Sequence, residues 1–298
     1  MSEPAECLGL CFTDDRLFYA VNDPDEQSGL KHIGSIEFSF PVLKALTDPE
    51  GEPFTAVSRA VEKLRHNHPV RQARILTPAL MECWSTLPRL VYETADERED
   101  HLKLLMQGSS ARQDLEATWF GLSNQEQKLL LLRNRSSFDG IRKLLLPFPE
   151  TDQVSEFELG REWQSLTGTS GSWMNIHCHE DHLSISSYLL GKLRGATWIR
   201  YDSLADLPYL WSFYSRQLQW MNGIHEQVYI YGEAGLEVLE VMEPAFAETG
   251  EAILMNSLDR MKVSAEESTY GFRLECAFPA ILLSLNDTGS EDRNPNQS

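Results

Sequence analysis

The chain has 298 residues, 42% hydrophobic and 24% charged, an ordinary soluble composition with room for one large or two medium domains. Its 45 acidic and 26 basic side chains give a formal charge of −19, and no cluster of Lys and Arg is present to grip phosphate, so nucleic acid and direct adsorption to anionic lipid are excluded. No apolar run reaches the about 18–20 residues of a membrane span, and the N-terminus MSEPAECLGL has no basic export signal, so a cytoplasmic location without membrane insertion is expected.

In chain order, residues 8–12 and 17–21 are short β-type runs on either side of the polar turn Thr13-Asp14-Asp15-Arg16, the length of a hairpin connection. Residues 22–29 are loop-like, and 33–40 alternate as a third strand. Phe54, Val57, Ala60, Val61 and Leu64 recur at helical spacing, Pro69 ends that helix, and 73–77 follow as a strand. Residues 79–88 are an apolar link and 94–106 a helix whose acidic start and basic end suit its dipole. A strand pair is expected at 115–122 and 128–133, and helices at 136–146 and 154–166. The flexible stretch 167–172 is the candidate lobe boundary.

A hairpin then opens again, with 173–178, the turn 179–182 and 183–190. A strand at 192–201, a long aromatic-rich helix at 204–221, a buried-type strand at 227–231, a helix from Gly235 through Phe246, a strand at 251–254 and an apolar helix at 276–285 complete the order. Residues 286–298 have nothing to bury and are expected to be a disordered tail. Alternating strands and helices make the chain α/β. The five cysteines, Cys7, Cys11, Cys83, Cys178 and Cys276, form no CxxC pair and are expected to be buried reduced thiols.

The repeated hairpin–strand–helix–strand unit resembles the actin-like, sugar-kinase-like ATPase superfamily. Within it the chain is similar to PilM and the cytoplasmic part of GspL, scaffold proteins of type IV pili and type II secretion, and to PilM-like proteins of the Bacteroidota. The resemblance implies a two-lobed, ribonuclease H-like duplicated architecture in which each lobe is a mixed sheet with helices. The first lobe would span residues 1–166 with a small inserted subdomain, and the second 167–285.

At the first phosphate turn that family expects an Asp and a Gly where this chain has Cys11 and Thr13, followed by Asp14 and Asp15. At the second, aligned without a gap, Asn175 replaces Asp and His177 replaces Gly. The nucleoside turn, usually a run of glycines, reads Gly232-Glu233-Ala234-Gly235. A phosphate cradle needs backbone N–H groups at close range, often at positive φ, and bulk at Thr13 and His177 obstructs that approach. Loss of the carboxylates at Cys11 and Asn175 removes hard ligands for Mg²⁺, and Glu233 adds repulsion. Bound ATP with Mg²⁺ is therefore disfavoured, no cofactor is expected, and the nucleotide site reads as degenerate.

His177, His179 and His182, with Glu180 and Asp181 beside them, have donors of the kind that bind zinc. Against that, hairpins tolerate polar tips, and no second ligand cluster stands out. Trp198, Tyr201, Tyr209, Trp211, Phe213, Tyr214 and Trp220 are read first as core packing. The alternative, implied by the resemblance, is an interlobe groove that receives a short peptide of a membrane protein. The reading is a non-catalytic scaffold or interaction module with a protein or peptide partner. The alternatives are an ATP-binding, PilM-like protein of pilus or secretion assembly and a metal-binding protein.

Overall fold

A computed structural model of the chain describes residues 6–24, 29–105, 115–122, 126–223, 225–261, 263–265 and 272–286. β1 (Cys7–Phe12) is buried along its whole length because both its faces are covered. It pairs antiparallel with β2 (Arg16–Asp23), which pairs antiparallel with β3 (Gly29–Glu37). Leu8, Leu10 and Phe12 enter a core completed by α1 (Val42–Thr47) and α2 (Glu52–Asn67). The helical spacing of Phe54, Val57, Val61 and Leu64 is what aims α2 at that core.

β4 (Gln72–Thr77) runs parallel to β1. The chain then leaves the sheet through β5 (Glu82–Pro88), α3 (Arg89–Glu93), α4 (Ala95–Leu105), β6 (Leu115–Gly121) and β7 (Gln127–Asn134). Those three strands form a small antiparallel sheet in the order β5-β7-β6. α5 (Asp139–Leu145) returns to the first core, and β8 (Glu150–Ser155) joins the main sheet parallel to β4.

α6 (Leu159–Thr167) leads into β9 (Ser172–Cys178), β10 (His182–Leu189) and β11 (Lys192–Arg200), again a fully antiparallel series. α7 (Leu207–Gln217), β12 (Gln227–Tyr231), α8 (Gly235–Thr249) and β13 (Glu251–Leu254) follow, with β12 and β13 parallel to β9. α9 (Leu258–Met261), β14 (Ser264–Ala265) and α10 (Leu274–Leu285) complete the described elements. The two main sheets run β14-β3-β2-β1-β4-β8 and β11-β10-β9-β12-β13. Apart from the short edge strand β14, order and strand sense repeat, so the fold is a duplicated α/β architecture with two mixed sheets.

The connecting helices cross over. Leu159 and Trp163 of α6 share a core with Trp173 and Tyr188 of the second sheet, whereas α10 packs on β1, β2 and β4 of the first. α10 is apolar all round and buried from Glu275 to Ser284, as a helix covered on every side must be. It lies so near β1 that a Cβ on Gly9 would overlap the Ala280 carbonyl oxygen. Among the described residues no helix is long and apolar enough to cross a membrane.

Several expectations need correction. Residues 79–88 are a single 3-10 turn followed by β5, not a link. The expected helix at 154–166 begins late because residues 154 and 155 belong to β8. A capping box at Ser155 then starts the helical turn: its Oγ accepts from the Phe157 N–H, and Glu158 accepts from the Ser155 N–H. The third strand spans Gly29–Glu37 rather than 33–40. Cys83 is exposed, unlike the other four thiols. Of the aromatic group, Tyr201 and Trp211 are buried, but Trp198, Tyr209 and Phe213 are exposed, Tyr209 by 71%. Residues 287–298 of the expected tail and 25–28 of the expected loop lie outside the described residues.

Two buried ionisable groups tie these layers together. The Arg74 guanidinium on β4 donates to Asp152 Oδ2 on β8 (3.0 and 3.1 Å), to Glu162 Oε2 on α6 (2.9 Å), and to the Leu283 and Asn286 carbonyls (3.3 and 3.1 Å). Removing one partner of a buried ion pair costs about 3–5 kcal/mol. Arg74→Met should therefore lower the urea midpoint by a loss of that order, with the denaturant slope unchanged.

The second is Glu82 on β5, which accepts from Ser155 Oγ (2.6 Å) and from Arg133 Nε (2.8 Å). Burial pushes its carboxyl up from 4.5 to about 7, against the pull of Arg133 and Ser155. The folded state therefore holds a proton that the unfolded chain has already released. Stability attributable to Glu82 should fall as pH rises from about 4.5 to about 7, by about 3 kcal/mol in all. The difference between wild type and Glu82→Gln, followed by denaturation across that window, should show this slope; parallel curves would contradict it.

Candidate functional site

The two hairpins end in matching turns. In the first, the Thr13 N–H donates to the Arg16 carbonyl (2.9 Å), and Phe38 N–H donates to Asp15 O (2.8 Å). In the second, His179 N–H donates to His182 O (3.0 Å), and Tyr201 N–H donates to Asp181 O (3.0 Å). The hairpins therefore coincide with Thr13 on His179, Asp15 on Asp181 and Cys11 on His177. This register lies two residues further along than the sequence alignment at the second turn. Asn175 sits mid-strand, opposite Ser186 and Tyr229, buried and with no hydrogen-bond partner for its Nδ2.

The third turn leaves β12 and closes over the second hairpin. Gly232 has φ +105, and a Cβ there would overlap the Cys178 carbonyl oxygen and lie 2.7 Å from His177 Cδ2. A glycine is required by both backbone and space. The Gly232 N–H donates to Glu275 O (2.8 Å), and Ala234 N–H donates to Cys178 O (3.2 Å) before α8 starts at Gly235.

Glu233 leans back toward the first hairpin, its Oε1 lying 3.7 Å from Arg16 Nη1, while its carbonyl accepts from Arg273 (3.1 Å). Burial raises its carboxyl above the usual range; Thr13 and Arg16 pull it down, and Asp15 and Glu180 push it further up. Acidic groups from all three turns thus share one mouth. Asp14 is exposed beside it, and Thr13 is buried.

Beneath this mouth is a group that the sequence did not reveal. Glu156, in the 3-10 turn after β8, is buried with its Oε1 against His177 Nδ1 and 2.5 Å from His179 Nε2. Its other oxygen accepts from the Ala79 backbone N–H (2.7 Å). Burial pushes this carboxyl up, yet His179 and His177 override that and hold it well below the usual carboxylate range. The His177 ring also packs against Tyr231 (5.0 Å between centroids), and Tyr231 against Phe278 of α10 (4.7 Å).

His182 is placed differently from the other two histidines. Its ring stacks on His179 at 4.1 Å and 5°, but its Nδ1 is bonded to Asp181 Oδ1 (2.6 Å). The cluster brought together is therefore Glu156, His177 and His179, whose donor atoms all lie within 4.8 Å of one another. Cys11, at the equivalent place in the first hairpin, is a buried thiol pushed well up by burial and by the charges of Glu156 and Glu233. A cleft of about 340 Å³ opens elsewhere, lined by Glu116, Arg133, Arg142, Thr151, Asp152 and Gln153, and includes none of the turn residues.

The sequence matches no family model, and no curated protein matches it. Solved structures are similar in architecture. A chain of the PilM–PilN type IV pilus biogenesis complex aligns over 95% of this chain and 98% of its own, at 11% identity and a TM-score of 0.63. A Bacteroides thetaiotaomicron protein with an actin-like ATPase fold and unknown function aligns over 85% of this chain and 92% of its own, at 13% identity and a TM-score of 0.50. With the repeated strand order of the two main sheets, these likenesses show that the chain has the actin-like ATPase fold.

Proposed function

We propose that this chain is a non-catalytic cytoplasmic scaffold, or protein-interaction module, that keeps the actin-like fold around a degenerate nucleotide site. Its lobes would span residues 1–166 and 167–285. The observation that carries this reading is the buried Glu156 carboxylate against His177 and His179, in the place where the two hairpin tips meet. A triphosphate brought there would meet a junction already filled by the paired Glu156, His177 and His179 side chains, with Glu233, Asp15 and Glu180 at the entrance. Like charges repel, and Glu233, whose side chain is only 15% exposed, is the least screened of the three at the entrance.

Backbone approach is obstructed as well. Cradles that bind phosphate do so with open N–H groups, often at glycine. Here the Thr13 and His179 N–H groups are spent within their own turns. Gly232 keeps its glycine, but its N–H is bonded to Glu275 and its space is taken by His177 and Cys178.

A protein partner fits what remains. The similar pilus-biogenesis chain belongs to a complex of two proteins, PilM and PilN. Kinship with PilM and GspL scaffolds would give this chain a comparable part in pilus or secretion assembly, with a protein or short peptide as partner. The exposed, stacked pair Tyr209 and Phe213 on α7 supports contact with a partner, since such rings are enriched at interfaces.

A ligand at about 100 times its Kd stabilises a fold by about 2.7 kcal/mol. Melting of the purified chain in millimolar Mg-ATP should leave the midpoint unchanged. A rise of several degrees, lost in Thr13→Trp, would replace this reading with that of an ATP-binding protein.

A further inference from the structure

We propose that Glu156, His177 and His179 form a binding site for one divalent transition-metal ion of the zinc class. Two imidazole nitrogens and one carboxylate oxygen converge there, all within 4.8 Å. This is the donor set of three-ligand zinc centres that leave a fourth position for another ligand. Imidazole favours zinc and its transition-metal neighbours over Mg²⁺, so the site differs in chemistry from a nucleotide's magnesium site.

The contacts within the cluster converge on one carboxylate oxygen. His177 Nδ1 is buried and abuts Glu156 Oε1, outside hydrogen-bond geometry. His179 Nε2 is directed at the same oxygen (2.5 Å). Both rings therefore aim their nitrogens at one side of one carboxylate. An ion held at about 2.0–2.1 Å from each donor satisfies all three at once. Tetrahedral ligands at that length stand about 3.4 Å apart, so the donors need to spread by about 1 Å. Both the His179 contact and the buried His177 contact with Glu156 Oε1 have to open for the ion to enter.

The surroundings already orient the donors. The Ala79 N–H fixes the second oxygen of Glu156, turning Oε1 toward the histidines. The His179 carbonyl accepts from Tyr201 Oη (2.5 Å), and its ring lies between those of His177 and His182. The Ala79 N–H on the second oxygen of Glu156 is an outer partner of the kind that holds a metal ligand in place. The acidic mouth formed by Asp15, Glu180 and Glu233 attracts a cation toward the rim. His182, bonded to Asp181, stays outside the set.

An ion here would join the two halves of the duplication. Glu156 follows β8 of the first main sheet, whereas His177 lies near the end of β9 of the second and His179 just after it. Binding would thus stabilise the packing of one sheet on the other.

The test uses the full, tag-free chain, stripped with chelator and titrated with Zn²⁺ against a chromophoric competitor, with melting followed in parallel. Wild type should bind stoichiometric zinc and melt at a higher temperature with it. His179→Ala and Glu156→Gln should each weaken binding by about 100-fold or more, whereas His182→Ala should change it far less. Co²⁺ should give visible d–d bands in wild type that disappear in Glu156→Gln. Because His177 and Glu156 are both buried, His177→Ala and Glu156→Gln are interpreted only where circular dichroism shows the native fold, and His179→Ala decides the question otherwise. Absence of stoichiometric zinc in wild type, or equal affinity in wild type and both ligand variants, would overturn the proposal.

Discussion

The Glu156 carboxylate, buried against His177 and His179, is the constraint around which this molecule is arranged. A carboxylate taken out of water is unfavourable unless its charge is answered close by. Here two imidazoles and the Ala79 N–H answer it, strongly enough to hold the acid ionised despite its burial. The Ser155 capping box sets the turn that carries Glu156, and Gly232 has no side chain so that the third turn can close over His177. The junction of the two hairpins is therefore a packed polar centre.

The duplication separates the features that hold the fold from the residues at the hairpin tips. Both hairpins keep the same turn bonds, and both sheets keep the same strand order. Those features need only backbone pairing and apolar faces. Leu8, Leu10 and Phe12 serve one sheet, as Met174, Ile176 and Cys178 serve the other. Substitution at the tips leaves those faces untouched, so Thr13, His179 and Glu233 can change the chemistry without disturbing either core. The crossed helices α6 and α10 bind the halves, with Gly9 admitting α10 against β1.

Much of the fold was legible in the sequence. The run at 227–231 and that at 251–254 coincide with β12 and β13, because short apolar segments between helices have few other uses. The hairpins were readable from their polar turn residues. β8 was harder, since Glu150, Thr151, Asp152 and Gln153 show no apolar alternation; their strand is fixed by pairing with β4. β5 was missed for a related reason: its partner β7 lies far along the chain, and pairing rather than composition makes it a strand. The site was only half legible. Histidines clustered at a hairpin tip are visible in one dimension, but Glu156 lies 23 residues from His179 and meets it only through the fold. The two-residue difference in register at the second turn arose likewise, because hydrogen bonds and not motif similarity define where a turn begins.

The most direct measurement is a crystal structure of the chain after soaking in Mg-ATP or a non-hydrolysable analogue. Glu156 should still abut His177 and His179, with no triphosphate density between Thr13 and His179. Ordered phosphates bound to the backbone of those two turns, with the carboxylate swung out of the junction, would contradict it.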